Sequence, residues 1–243
     1  MAVTLTYPHE PSTGAPAPLP AEAVWAVAAQ LRSAVPRDEN PWAMRVDALI
    51  AAARRLEINR QQIQADWDCS RPVHDEAGQP VLGICETDPS APGLALVSVN
   101  APLLANQPEL TLSTVAHEIG HIVFDVPAAA QQAARRYRSV TQGAACLDQT
   151  SLRSERRANE FMGALLAPPA QLHLRLVTHA RSERLRMVHA PHRGRQGCRV
   201  VARDTPRVAL AGVIAALAGD FGISERFIAV RLQRYRLIEG GRL

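Results

Sequence analysis

The chain contains no lysine; all 27 of its basic residues are arginine. Beside an alanine-rich background this reads as compositional bias of the genome. The net charge of +4 and the sequence pI near 9.2 are therefore weak grounds for an acidic partner. Cysteines are few and scattered: Cys69, Cys85, Cys146 and Cys198, with no C-x-x-C pair. That spacing argues against a disulfide framework and against a structural zinc knuckle, and a reducing cytoplasm is the simplest setting. No apolar run approaches the roughly 18 residues of a membrane span. Residues 1–20 have neither a basic n-region nor an apolar h-region, so no secretory signal is expected. Their content of proline and alanine, as in Thr13-Gly14-Ala15-Pro16-Ala17-Pro18, reads as a flexible leader.

What the chain does have is enough apolar material for a core: 47% of 243 residues, the size of one domain or of a domain with an appendage. Val24, Val27, Ala28 and Leu31 share a face of a helix expected over 21–35. Asn40-Pro41 resembles an N-cap followed by proline at the first helical position, opening a helix that carries Val46, Leu49, Ile50 and Ala53 to about Leu56. From Ile63 to Asn100 short apolar runs alternate with turn residues, which predicts a small, mostly antiparallel sheet. Its strands fall near 71–74, at 81–86 and, as a buried strand, over 94–99. Helices are expected over about 108–124, over 152–166 with Ser151 as N-cap and Pro168-Pro169 as its stop, and over 170–188.

Residues 190–204 look least regular. Arg181, Arg184, Arg186, Arg193, Arg195, Arg199 and Arg203 make the neighbourhood basic, but no aromatics interleave with them, so a solvated loop is favoured over a nucleic-acid patch. The C-terminal stretch 208–238 reads helix, turn at Phe221-Gly222-Ile223, Ser224 as N-cap, helix. The pattern is that of a helix-turn-helix. Phe227, Ile228, Val230, Leu232 and Leu237 in the second helix favour packing over DNA reading.

One motif carries chemistry. His117-Glu118-Ile119-Gly120-His121 is H-E-x-x-H, inside an apolar stripe of Leu112, Val115, Ile119, Ile122 and Val123. A chain of this composition would contain His-acid-x-x-His by chance about 0.02 times. On a helix, residues i and i+4 share a face, so His117 and His121 can hold one metal ion. Glu118 points about 100° away, well placed to reach water at that ion and poorly placed to ligate it. Gly120 weakens the helix by about 1 kcal/mol, and close approach of another backbone is the plausible reason.

A zinc hydrolase needs three protein ligands and an open fourth position. Asp125, Glu155, Glu160, His173 and His179 are the candidates for the third. Asp125 lies eight residues from His117, about 12 Å along a continuous helix, which suits a supporting or helix-end group better than a ligand. Glu155 sits on a separate predicted helix, with Asn159 on the same face, Glu160 on another, and Ala158 small enough for helices to approach closely. Tyr137, His173 and His179 are open candidates for an oxyanion donor, and the 94–99 strand, if an edge, could hold substrate backbone.

Thr114-Val115-Ala116-His117-Glu118-Ile119-Gly120-His121, followed by Glu155-Arg156-Arg157-Ala158-Asn159-Glu160-Phe161-Met162-Gly163-Ala164-Leu165-Leu166-Ala167-Pro168, resembles the ImmA/IrrE metallo-endopeptidases. The likeness is sharp over about 94–169 and looser beyond. It implies an α+β fold: a zincin-like metallopeptidase domain with a small antiparallel sheet, an H-E-x-x-H active-site helix and a C-terminal helical hairpin. It implies His117, His121 and Glu155 as ligands of Zn2+, Glu118 as catalytic base, and a helix-turn-helix transcriptional repressor as protein substrate in the cytoplasm, with no direct nucleic-acid or membrane ligand. Asp125 stands where many members carry histidine, and Gly163 and Ala167 replace the usual alanine and methionine. The expected organisation is a leader over 1–20, the metallopeptidase domain over 21–190, a basic loop over 191–205 and a helix-turn-helix-like segment over 206–243. The competing readings are a non-catalytic antirepressor that keeps the zinc site for structure, and a DNA-binding regulator acting through the C-terminal helices.

Overall fold

The computed structural model describes residues 2–36, 39–131, 138–141, 149–192 and 195–241. The fold is α+β, with a mixed sheet and a helical C-terminus. It divides into two compact units, Met1–Arg37 with Met44–Leu165, and Asp38–Ala43 with Leu166–Leu243.

The first unit runs β1 (Val3–Leu5), α1 (Ala21–Ala34), α2 (Val46–Ala53), β2 (Arg55–Ile58), β3 (Gln61–Asp68), β4 (Gly83–Thr87), β5 (Leu94–Val99), α3 (Ala101–Leu104), α4 (Pro108–Phe124), α5 (Val126–Gln131), β6 (Arg138–Thr141) and α6 (Gln149–Leu166). Its strands form one sheet in the order β1-β2-β3-β5-β4-β6. The β1–β2 and β3–β5 pairs are parallel and the other three antiparallel, so the expected small antiparallel sheet is in fact mixed and six strands wide. Much of the difference comes from the β2–β3 hairpin. Its turn residues Asn59 and Arg60 both have positive φ, 50° and 70°, the conformation of a tight hairpin turn. Such turns usually announce themselves with Asn-Gly; with Arg60 in the glycine position, Leu56 read as the end of a helix. The strand expected near 71–74 is only an isolated bridge between His74 and Pro80.

The start of the expected leader is built into the sheet. Val3-Thr4-Leu5 pairs in parallel with β2, Leu5 is fully buried, and the buried Tyr7 hydroxyl donates to the Val123 carbonyl at 2.8 Å. Tyr7 also packs on the Phe124 ring, 5.0 Å between centroids. The alternation Val3, Leu5, Tyr7 is a period-two strand signal, and the Pro/Ala-rich residues that follow it masked it. Asn40 does not cap α2 either; its Oδ1 accepts from the Trp42 amide in a turn, and α2 starts at Val46. Behind β5, Asn100 is buried. Its amide donates to the carbonyls of Val73 and Val81, and its Oδ1 accepts from the Leu103 amide, which caps α3 and pins the loop before β4.

Helix α4 has the bounds its apolar spacing predicts, with proline at its start. Every residue from Thr114 to Phe124 is buried.

In the second unit α7 (Pro169–Ser182) ends earlier than expected, at Glu183 and a positive-φ Arg184. The basic loop expected over 191–205 is instead part of an antiparallel ribbon, β7 (Met187–His192) with β8 (Arg195–Val201). Met187 faces Val201 and Val188 faces Val200, so short apolar segments close the ribbon at its base. Arginine-rich composition between them hid the pairing. Helices α8 (Arg207–Phe221) and α9 (Glu225–Arg234) meet at 104° across Gly222, which takes the left-handed conformation at φ 64°, and Ser224 Oγ accepts from the Phe227 amide. Asp220 is gripped by both ends of the Arg175 guanidinium and by His179 Nε2 at 2.6 Å. Among the described residues no single helix is long and apolar enough to cross a membrane.

Candidate metal centre

His117 and His121 stand one turn apart on α4, 4% and 0% exposed, with their Nε2 atoms 3.0 Å apart. Glu155 reaches them from α6. Its Oε2 lies 3.2 Å from His117 Nε2, and its Oε1 lies 3.2 Å from His121 Nε2. Ligands held about 2.0–2.1 Å from a tetrahedral zinc stand about 3.3 Å from one another, so the three side chains already have the spacing of a coordination shell. The donor set, two imidazoles and one carboxylate, fits a divalent ion.

Two glycines make this convergence possible. A Cβ at Gly120 would sit 2.8 Å from Ala158 Cα and 3.2 Å from the Ala158 carbonyl oxygen. Backbone therefore lies against backbone where α4 meets α6, one residue from His121 and three from Glu155. A Cβ at Gly83, in β4, would sit 2.6 Å from Glu118 Oε1. The missing side chain leaves room for the Glu118 carboxylate between the helix and the sheet. Glu118 is fully buried there and stands apart from the three-residue donor set. An isolated glycine in a strand pattern signals such a close approach, so Gly83 was findable; sequence reasoning passed over it.

Asp125 does not join the donor group but lies behind His121. Its Oδ2 accepts from His121 Nδ1 at 2.9 Å and from Ser154 Oγ at 2.6 Å, and its Oδ1 pairs with Arg157. A carboxylate can only accept, so this contact keeps a proton on His121 Nδ1 and turns Nε2 toward Glu155. Burial disfavours the charged form of His121, but the hydrogen bonds to Asp125 and Glu155 outweigh it and raise the pKa to about 10. Burial likewise pushes Glu155 up, and its bonds to His117 and His121 more than reverse that, holding the carboxyl well below the usual range. Cys85, on β4, is fully buried, and burial together with Glu118 and Asp125 raises its thiol well above the ordinary value. Among the described residues it does not join the donor group.

The remaining candidates lie elsewhere. Buried Glu160 accepts from Trp25 Nε1 at 2.6 Å and holds α1 to α6. His173 binds the Arg199 carbonyl, and His179 binds Asp220, both within the second unit. Tyr137 lies outside the described residues. The strand expected to offer an edge, β5, lies between β3 and β4; among the described residues β6 ends the sheet on the side of the site. Ser139 of β6, Ser154 and Arg157 were not singled out from sequence. Ser139 Oγ donates to Glu155 Oε1 at 2.8 Å and lies 3.0 Å from His121 Nε2. Compared with protein-family models, with curated proteins and with solved structures, the chain finds no match in any of the three.

Proposed function

We propose that the chain is a zinc-dependent metallo-endopeptidase. The observation that carries this reading is the convergence of His117, His121 and Glu155 within coordination spacing, with the Glu118 carboxylate buried on the same helix. Three protein donors leave a fourth position open, as hydrolytic zinc sites require, whereas structural sites are closed by four. Zinc bound there supplies Lewis acidity at the scissile carbonyl and lowers the pKa of water. Glu118 acts as general base, taking a proton from the attacking water and returning it to the leaving amine. Asp125, steadied by Ser154 and Arg157, orients His121. The likeness of the two helical motifs to the ImmA/IrrE peptidases supports a zincin-like fold and a helix-turn-helix repressor as substrate, cleaved in the cytoplasm.

Purified protein is expected to carry about one zinc per chain. Glu118→Gln should keep that zinc and lose cleavage of a helix-turn-helix repressor by about 10²-fold or more. Cleavage by the variant at the wild-type rate would refute the assignment. Repressor release without cleavage, equal in both proteins, would point to the non-catalytic antirepressor instead.

A further inference from the structure

The fourth position is where the fold holds something unexpected. Strand β6 runs antiparallel along β4 in the register Gly83 with Thr141, Ile84 with Val140, Cys85 with Ser139 and Glu86 with Arg138. Residues directly opposite on paired strands project to the same face of a sheet. Gly83 and Cys85 face α4, since the first abuts Glu118 and the second feels the charges of Glu118 and Asp125. Ser139 therefore points at the metal donors, and its hydroxyl arrives at coordination-shell spacing from two of them, 3.0 Å from His121 Nε2 and 2.8 Å from Glu155 Oε1. Ser139 is itself buried, 8% exposed.

We propose that β6 is an internal occupant of the substrate cleft, with the Ser139 hydroxyl as fourth donor to the bound metal. The inference rests on the metal-site reading above. An extended peptide bound for cleavage would add as a strand to the edge of β4, and β6 already takes that edge. It is only four residues long and, among the described residues, ends the sheet with β4 as its one partner strand, so displacing it breaks one short ladder. A serine hydroxyl is neutral and binds zinc more weakly than imidazole or carboxylate, as a displaceable occupant must. Hydrolysis then requires β6 to leave β4, freeing the edge for substrate and the fourth position for water.

Full-length wild type, Ser139→Cys and Ser139→Ala would be loaded with Co2+ under reductant, because Cys85 is the cross-strand neighbour of position 139. The Ser139→Cys protein should show a sulfur-to-cobalt charge-transfer band that wild type lacks. Ser139→Ala should keep its cobalt and bind acetohydroxamic acid, a small ligand for an open metal position, about tenfold more tightly, as expected if Ser139 holds the position in roughly nine molecules of ten. No new band in the cysteine variant, with hydroxamate affinity unchanged in the alanine variant, would overturn the proposal. Loss of cobalt from Ser139→Ala would also overturn it, making Ser139 a strut for Glu155. Failure of wild type to take up cobalt would instead overturn the metal-site reading, and this proposal with it.

Discussion

Gly120→Ala sets helix propensity against packing, and the geometry decides which wins. In the interior of an isolated helix the change would stabilise by about 1 kcal/mol. In this protein the new Cβ would lie 2.8 Å from Ala158 Cα, 3.1 Å from Ala158 Cβ and 3.2 Å from the Ala158 carbonyl oxygen. Carbon atoms in contact prefer about 3.5–4.0 Å, so α4 and α6 must part by about 0.7 Å or more. Overpacking of that kind costs about 1–3 kcal/mol, which offsets the propensity gain and leaves a net loss of about 1 kcal/mol. The candidate metal site is the more sensitive reporter. His121 is the next residue on α4, and Glu155 lies one turn before Ala158 on α6, so separation of the helices adds directly to the ligand spacings. Coordination distances tolerate only about 0.2 Å, and zinc affinity should fall at least about tenfold, or 1.4 kcal/mol. Urea unfolding of the ion-free protein and chelator competition for zinc read the two effects separately. Ala158→Gly in the same chain should rescue only in part, because the nearest atom to the new methyl is backbone. A Gly120→Ala protein that is more stable by the full propensity gain and holds zinc as well as wild type would refute the close-approach argument.

Three further outcomes follow from the same geometry. Asp125→Asn keeps the side-chain shape but removes the charge that faces His121 Nδ1, Ser154 and Arg157; zinc affinity should drop about 10–100-fold, and a change under twofold in chelator competition would deny Asp125 its orienting role. Tyr7→Phe deletes the 2.8 Å bond to the Val123 carbonyl and should cost about 1 kcal/mol in urea unfolding, whereas a flexible leader predicts no change. Asp220→Asn should destabilise by about 1 kcal/mol at neutral pH, the worth of a partly screened ion pair. Burial raises the Asp220 carboxyl, but Arg175 and His179 more than offset it and hold it below its ordinary value of 3.8. The contribution is therefore full above about pH 4 and fades as the pH falls through the lowered folded value, so the two unfolding curves should converge in acid; a gap that persists at low pH would contradict the ion-pair account.

Helices were legible in this chain wherever local signals agreed. The α4 bounds follow from a proline start and an apolar stripe, and Ser224 with Gly222 marks the α8–α9 turn on both sides. Strands were legible only where the segment itself was strongly apolar, as at β4 and β5, and their partners were not. The strands β1, β2, β3, β6, β7 and β8 depend on partners that local sequence does not name. The parallel β1–β2 pair joins segments some fifty residues apart, and the β2–β3 turn lacks the glycine that would betray it. A composition-based reading sees proline and alanine near the N-terminus and arginine over 190–204, and expects loops. The signals underneath, the period-two alternation from Val3 to Tyr7 and the apolar pairs Met187-Val188 and Val200-Val201, are short enough to be outvoted.

The site divides along the same line. His117, Glu118 and His121 share one helix, so a rule of helical periodicity reaches all three. Glu155 is 34 residues further on and needed a second helix with a recognisable face; Ala158 and Gly120, small residues on both helices, gave the physical hint that the two come together. Asp125 could be demoted from ligand to support because helix rise alone keeps it about 12 Å from His117. Gly83 and Ser139 come to the site through the β4–β5 and β4–β6 ladders, and register is a property of the folded sheet. A serine in a four-residue edge strand has no pattern of its own. Its importance comes entirely from lying opposite Cys85, on the α4 face of β4. A one-residue slip of β6 would turn Ser139 away from the donors, so the position of one hydroxyl at the metal site depends on the register of a single short ladder.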